Sequence, residues 1–366
     1  MKKIILTLLL FVCIVIYSFA QQTDDYYNRA YNEIADMLDG KIPLSIKRAV
    51  FLTEWAYFDG NLDYNSYSAQ IESTAKAIKH FYMVNSRNRF KTGLNVALFE
   101  YFTKPYSMNG NKPFTYDYED FAGHEDFSKL FVTKVMRTHS GQCHSLPLYY
   151  KVLAEAIGAE AHFTFAPQHS FIRHRDEQDL SKWINVELTT QSLGREIFYI
   201  ESFGITADAI RNKVYLYPLT DKETVAFLMS LLINGYHRKF KKWDDFVMRC
   251  AEKSLVYYPQ NPHALQMKAN VLNERLAAYV KSNNGKLDNH AKELDKQWLE
   301  LDKKIKNSGW RKTMPDDKYE ETLKNIAESM QKEGFDTQTI EKEMNRQRLI
   351  DKKPKPNINK LKNTKQ

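Results

Sequence analysis

Three side chains in the middle of the chain have the types and the spacing for thiol chemistry. Cys143 directly precedes an apolar helical pattern, and His169 follows 26 residues later at the start of a strand-like segment. Glu187 lies in the next strand-like segment. The amides and dipole of a helix N-terminus favour a thiolate, and a nearby imidazolium favours it further. A carboxylate that holds the second imidazole nitrogen completes a nucleophile, a proton-transfer group and an orienting group.

The helix after Cys143 is predicted from its apolar residues, which recur at spacings of four, three and four and so share one face. These residues are Leu146, Tyr150, Leu153 and Ile157. Pro147 fits the first turn, where no amide donor is needed, and Gly158 is suited to the end of the helix. The pattern therefore places Cys143 at a helix N-terminus.

Strand-like segments follow at 161–166, 169–174 and 182–189, each rich in aromatic or β-branched residues. A hairpin centred near Gln178 would pair position 169 with position 187 and set Glu187 directly across from His169. Asn185 shares that face one pleat step away and is an alternative third group. Gln142 is a candidate donor for an oxyanion.

Other interpretations of the same residues stay open. A cysteine before a helix is often a small core residue, and Cys250, inside a candidate helix, is predicted to be such a buried thiol. Cys143, His162 and His169 form an alternative set of zinc ligands. The chain has no close pair of metal ligands such as CxxC or HxxxH, so we predict neither a metal nor a cofactor.

The order of these residues resembles the transglutaminase-like superfamily, which shares a papain-like core. In that family a "GxC" precedes the nucleophile helix, a histidine opens the next-but-one strand, and an acid follows in a "Wxx(x)DPT"-like segment. This chain has "GQC" at 141–143, "QHSFIR" at 168–173 and "WINVELT" at 183–189. The block at 126–158 carries most of the resemblance, which covers about residues 90–200 and extends more weakly to about 285.

The resemblance implies a cysteine enzyme with Cys143, His169 and Glu187 as its catalytic triad. Such an enzyme forms a thioester with a peptide or protein substrate and then hydrolyses it or transfers the acyl group. Glu187 stands where the family commonly has aspartate, and Leu188 stands where it commonly has proline. Asn185 could orient the histidine instead, as amides do in papain-like proteases.

The predicted fold class is α+β, with a papain/transglutaminase-like core and a helical N-terminal part, followed by an all-α tetratricopeptide-like C-terminal region. A helical pair at 223–234 and 243–257 supports the last part, with Gly235 and Pro259 at the spacing of such a repeat. Residues 105–122 are predicted to form a long surface loop. The predicted segments are a signal peptide at 1–20, a transglutaminase-like domain with N-terminal helices at 21–218, a tetratricopeptide-like region at 219–285, a helical extension at 286–350 and a basic disordered tail at 351–366.

The N-terminus predicts the destination of the chain. Lys2 and Lys3 precede an apolar run at 4–17 that ends in Ser18-Phe19-Ala20, a pattern typical of an export signal cleaved after Ala20. We therefore expect a periplasmic or secreted protein. No later segment is long and apolar enough to span a bilayer.

The net charge of +8 comes from the two ends of the chain. Two lysines lie in the signal segment and six lie in 352–366, so the remaining body is close to neutral. We predict no nucleic-acid partner, and membrane contact only through the signal peptide or weakly through the basic tail. The alternative function is a catalytically inactive transglutaminase-like scaffold that binds a protein partner along its helical repeats.

Overall fold

The structure, a computed structural model, describes residues 25–351 of the 366-residue chain. The predicted signal peptide at 1–20 and the tail residues 352–366 lie outside the described residues. The described part is 63% helical and 7% strand, with 14 α-helices, which confirms the α+β class in its coarse form. Among these helices, none combines the length and the hydropathy that a bilayer crossing needs.

We number the helices and strands in chain order. The α-helices are α1 (residues 25–38), α2 (Ile46–Tyr57), α3 (Tyr64–Val84), α4 (Gly93–Thr103), α5 (Val132–Thr138), α6 (Ser145–Ile157), α7 (Glu196–Phe203), α8 (Ala207–Arg211), α9 (Asp221–Phe240), α10 (Asp245–Tyr257), α11 (Pro262–Ser282), α12 (Asn289–Asn307), α13 (Asp316–Lys332) and α14 (Thr337–Asp351). The strands are β1 (Thr115–Tyr116), β2 (Ser140–Gly141), β3 (His162–Ala166), β4 (His169–Arg175), β5 (Trp183–Glu187) and β6 (Ser192–Gly194).

The chain divides into two compact units. One comprises residues 25–68 and 221–268, and the other comprises residues 69–220 and 269–351. All the residues predicted to carry chemistry lie in the second unit. The domain boundaries predicted from the sequence stay predictions.

The first unit is helical, with an aromatic core. Tyr27 of α1 packs edge-on against Tyr236 and Phe240 of α9, with ring centroids 5.3 and 5.7 Å apart. Helices α9 and α10 confirm the predicted helical pair, although α9 continues to Phe240. The buried amide of Asn261 donates to the hydroxyl groups of Ser230 and Ser254, so these polar groups are satisfied in the interior.

The second unit contains an antiparallel sheet in the order β3-β4-β5-β6, in which each strand pairs with the next along the chain. Strands β3, β4 and β5 confirm the predicted strand segments. The predicted register of β4 and β5 is wrong by two positions, because Ile172 pairs with Val186. Continuing this register sets Glu187 across from Phe171 and diagonal to His169. A shift of two positions keeps Glu187 and His169 on the same face of the sheet.

The loop between β4 and β5 explains the shift in register. The side chain of Asp176 accepts hydrogen bonds from the backbone amides of Gln178 and Asp179, at 2.7 and 3.0 Å. These side-chain turns build a loop centred on Asp179, one residue beyond the predicted centre. The hydrogen bonds of Asp176 therefore set the centre of the loop and shift the pairing register of β4 and β5 from the predicted one.

Helix α6 is the central helix of this unit. The four residues of its predicted apolar face are each at most 3% exposed. Leu148, Tyr149 and Val152 are equally buried, so α6 is enclosed on several sides rather than on one stripe. Gly158 ends the helix at φ 80°, as predicted, and its amide donates to the carbonyl of Ala154.

The segment predicted as a surface loop, 105–122, is in part a core element, so that prediction is wrong. Strand β1 pairs in parallel with β2, with Tyr116 opposite Gly141. Tyr118 is buried in an apolar cluster with Leu323 and Met330 of α13 and Met344 of α14. The aromatic residues of this segment pack on helices about 200 residues away in sequence, and no local pattern reports such contacts.

Candidate active site

Cys143 lies in the first turn that leads into α6. The amide of Leu146 already donates to the Gln142 carbonyl at 3.1 Å, so the chain is turning as a helix around Cys143. The side chain of Cys143 is half-buried, whereas Cys250 is fully buried. Cys143 therefore lies at the positive end of the α6 dipole.

The turn that carries Cys143 is fastened to β4. Pro147 has no amide hydrogen, so it cannot donate to the carbonyl of Cys143 within the helix. The buried hydroxyl of Ser170 donates to that carbonyl instead, at 2.6 Å. Ser170 directly follows His169, so this hydrogen bond fixes the nucleophile turn next to the histidine.

A close backbone approach at Gly141 also shapes this turn. A Cβ atom at Gly141 would lie 2.7 Å from the Ser145 hydroxyl and 2.8 Å from Val135 Cγ2, closer than side-chain atoms tolerate. Only glycine fits there. The glycine of "GQC" is therefore required by the packing of α5 and α6 around the cysteine.

His169 joins the other two predicted residues. Its Nε2 atom lies 2.7 Å from Glu187 Oε2. The Cys143 sulfur lies 3.9 Å from the carbonyl oxygen of Gln168, the residue directly before His169. The imidazole stacks on Phe203 of α7, with centroids 4.9 Å apart and planes 19° apart. The structure thus brings Cys143, His169 and Glu187 together in the predicted order.

The electrostatics of the pair follow from its burial and its charges. Burial by itself lowers the pKa of His169, but the carboxylate of Glu187 and the neighbouring side chain of Cys143 outweigh it and raise that pKa to about 10. Burial by itself raises the pKa of Glu187, but His169 and Thr189 outweigh it and hold that pKa below its usual value. At neutral pH the pair is therefore an imidazolium and a carboxylate.

Both oxygens of the Glu187 carboxylate are occupied. Oε1 accepts from the amide and the hydroxyl of Thr189, at 3.0 and 2.6 Å. Oε2 accepts from His169 and from the hydroxyl of Tyr199, the latter at 3.3 Å. With its side chain 6% exposed, Glu187 is a buried anion held by four hydrogen bonds.

Asn185, the alternative third group, is engaged elsewhere. Its Nδ2 atom donates to the carbonyl of Gly194 on β6 at 2.9 Å, and its Oδ1 atom has no hydrogen-bond partner among the described residues. Of the two candidates, Glu187 is the one that contacts the imidazole.

Gln142 is fully buried beside the cysteine. Its amide oxygen accepts from the Ser145 hydroxyl at 3.0 Å, and its backbone amide donates to the same hydroxyl. Its Nε2 atom has no hydrogen-bond partner among the described residues. A buried amide group in this state has a donor available for a developing negative charge on a ligand.

Sequence reasoning missed several residues that shape the site. They are Thr189, Ser170, Tyr199, Phe203 and Tyr116. Tyr116 lies opposite Gly141, two residues before Cys143, in the pairing of β1 with β2. Tyr199 and Phe203 are four residues apart. This spacing could have predicted a helix at α7 with both rings on one face.

Cys143, His162 and His169, the alternative set of zinc ligands, do not form one cluster. The ring nitrogens of His162 lie 2.9 Å from the Leu219 carbonyl and 3.2 Å from Glu160. Within residues 25–351, no cluster of three or more His, Cys, Asp or Glu side chains could hold a metal ion.

Comparison of the chain with protein-family models, with curated proteins and with solved structures finds no match.

Proposed function

We propose that the protein is a cysteine enzyme that cleaves or transfers amide bonds through a thioester on Cys143. The observation that carries this proposal is the cluster of Cys143, His169 and Glu187, in which His169 contacts Glu187 at 2.7 Å and Ser170, the next residue, holds the turn of Cys143. It joins a thiol at a helix start to an imidazolium held by a buried carboxylate. This is the arrangement that nucleophilic thiol catalysis requires.

The proposed reaction proceeds in two steps. The Cys143 thiolate adds to the carbonyl carbon of an amide, and the oxyanion accepts hydrogen bonds from the amide of Cys143 and from Nε2 of Gln142. The C–N bond then breaks, and His169 gives its proton to the leaving amine. Water or a second amine attacks the thioester, loses a proton to His169 and releases the Cys143 thiolate, with a carboxylic acid or a new amide as the product.

The same proposal includes the family and its fold. A cysteine at the start of α6, a histidine at the first residue of β4 and an acid at the end of β5 follow the transglutaminase-like order and support a papain-like core. In this proposal the protein is exported, its substrate is a peptide or protein, and α9 to α11 form tetratricopeptide-like helices that bind a protein partner.

Labelling of the full chain with iodoacetamide over a range of pH tests the proposal, with the Cys143 peptide quantified by mass spectrometry. Because an imidazolium next to the sulfur favours the thiolate, we expect labelling at about pH 6 to be at least about tenfold faster than in His169→Ala. His162→Ala is the matched control, since this histidine contacts Leu219 and Glu160, and we expect it to leave the rate unchanged.

The pH dependence of Cys143 labelling can also contradict the proposal. Labelling of Cys143 only above about pH 8, at the same rate with and without His169, is the behaviour of a free thiol and would overturn the enzyme proposal. A biological activity that survives Cys143→Ala would favour the scaffold function instead.

A further inference from the structure

The carboxylate of Glu187 has a second donor on the oxygen that faces His169. The hydroxyl of Tyr199 lies 3.3 Å from Oε2, the atom that also accepts from the imidazole. Thr189 occupies the other oxygen with two hydrogen bonds. With donors on both oxygens, the carboxylate cannot rotate about its terminal bond without breaking at least one of these contacts.

Tyr199 is itself tightly held. The residue is fully buried, and its ring stacks on Phe171 of β4 with centroids 4.0 Å apart and planes 16° apart. Burial and the charge of Glu187 raise the pKa of Tyr199, so its hydroxyl remains a donor wherever the protein is folded. The direction of this hydrogen bond is therefore fixed, with tyrosine donating and glutamate accepting.

The neighbouring strand is shaped to admit this tyrosine. A Cβ atom at Gly194 of β6 would lie 2.8 Å from the Tyr199 hydroxyl oxygen and from its ring. The carbonyl of Gly194 is in turn held by the buried amide of Asn185. Asn185 is thus linked to Glu187 through three contacts, by way of Gly194 and Tyr199.

We propose that Tyr199 is a positioning residue, which holds the Glu187 carboxylate against His169 and so keeps the imidazole in place beside the turn that carries Cys143. This inference depends on the proposed function of the Cys143 site. Tyr199 acts through Glu187 and takes no part in bond making or breaking.

Tyr199→Phe tests the inference, because phenylalanine keeps the stack on Phe171 and removes only the hydroxyl group. We expect the rate of iodoacetamide labelling of Cys143 at about pH 6 to fall about tenfold, the size of one lost hydrogen bond to a charged group. We also expect the pH at which labelling reaches half of its maximum rate to rise toward that of His169→Ala. Tyr150→Phe is the matched control, since it removes another fully buried hydroxyl, one that contacts the Asn95 carbonyl.

A double-mutant cycle separates positioning from general loosening of the fold. If Tyr199 acts through the carboxylate, Tyr199→Phe has no further effect on the pH profile in a Glu187→Gln background. An additive effect in that background, or a wild-type profile in Tyr199→Phe alone, would overturn the inference.

A replacement variant and the wild-type labelling profile separate the role of Tyr199 from the proposed function. If Tyr199→Phe does not fold, Gly194→Ala takes its place, because the added Cβ displaces the hydroxyl without removing it, and the same shift in profile is expected. A wild-type chain that labels like a free thiol overturns the proposed function itself. A wild-type chain that labels at low pH, with both variants unchanged, overturns only the role of Tyr199.

Discussion

At the scale of single residues, the register of the sheet explains why the acid is a glutamate. Glu187 lies diagonal to His169 rather than directly opposite, and diagonal positions are about 7–8 Å apart. The extra methylene of glutamate, relative to aspartate, supplies the reach for the 2.7 Å contact with Nε2. A glutamate at position 187 therefore has a geometric reason, since the shorter aspartate would not reach Nε2 from the same backbone position.

The buried ion pair predicts how stability changes with pH. The pKa of His169 rises from 6.5 to about 10 on folding, so its contribution is fully present below pH 6.5 and is lost as the pH rises through about 10. The pKa of Glu187 falls below 4.5, so its contribution is present above pH 4.5 and is lost at lower pH. We expect Glu187→Gln to lower the free energy of unfolding by about 3 kcal/mol between these limits.

Urea unfolding of both chains, followed by fluorescence at several pH values, measures this difference. The difference should shrink as the pH rises from 6.5 toward 10 and also as it falls below 4.5. Thr190→Val is a surface control, because its hydroxyl contacts only the exposed Ser192. A difference that stays constant over this whole range would show that the pair is not charged in the folded state.

The three main residues of the site could be predicted because each has a distinctive type at a recognisable place in an element. Cys143 precedes a helix, and His169 and Glu187 belong to strands whose alternation sets their common face. Tyr199 and Ser170 could not be predicted in this way. Their roles depend on which neighbours the folded chain places beside them, and tyrosine and serine are common in ordinary helices and strands.

At the scale of elements, the site depends on helices that the sequence places far from it. Met314, just before α13, donates its backbone amide to the side chain of Gln168, and the Gln168 carbonyl oxygen lies 3.9 Å from the Cys143 sulfur. Gln168 itself adopts a positive φ of 53°, a strained conformation that surrounding contacts must hold. The chain from Met314 onward therefore supports the turn that carries His169.

We expect a chain that ends at Asn307 to lose both stability and the geometry of the site. It lacks Leu323, Met330 and Met344, whose burial against Tyr118 is worth about 2 kcal/mol for each side chain. The melting temperature, measured by circular dichroism, should fall by at least about 5 °C. Labelling of Cys143 should also shift toward the profile of a free thiol.

A chain that ends at Asp351 is the matched control, since it retains α13 and α14. We expect its melting temperature and its labelling profile to equal those of the full chain. If the chain that ends at Asn307 also keeps both properties, α13 and α14 do not support the site.

Elements with strong local patterns were predicted well, and short elements were not. Helix α6 and strands β3 to β5 have the apolar periodicity and end signals that predict them. Strand β1 has two residues, and its pairing with β2 joins positions 25 residues apart. Tertiary packing specifies such a pairing, and the pattern of neighbouring residues in the sequence does not predict it.

At the scale of the whole molecule, the two cysteines of the described residues lie in different compact units. Cys143 is half-buried in the unit of residues 69–220 and 269–351, and Cys250 is fully buried on α10 in the other unit. Burial raises the pKa of Cys250, so its thiol is protonated and shielded from reagents in the folded state. Labelling of Cys250 therefore reports the opening of its own unit.

We expect Cys250 to resist iodoacetamide in the native chain and to react only when this helical unit opens. Val247→Ala, at a fully buried position one turn before Cys250, should destabilise the unit by about 2 kcal/mol and speed Cys250 labelling by about 30-fold. Val256→Ala removes the same atoms from the same helix at a position that is 65% exposed, and we expect no change. Mass spectrometry of the Cys250 peptide measures all three rates. Equal rates in the two variants, or native labelling as fast as that of a free thiol, would mean that α10 is not packed in a cooperative core, since a buried thiol reacts only through opening.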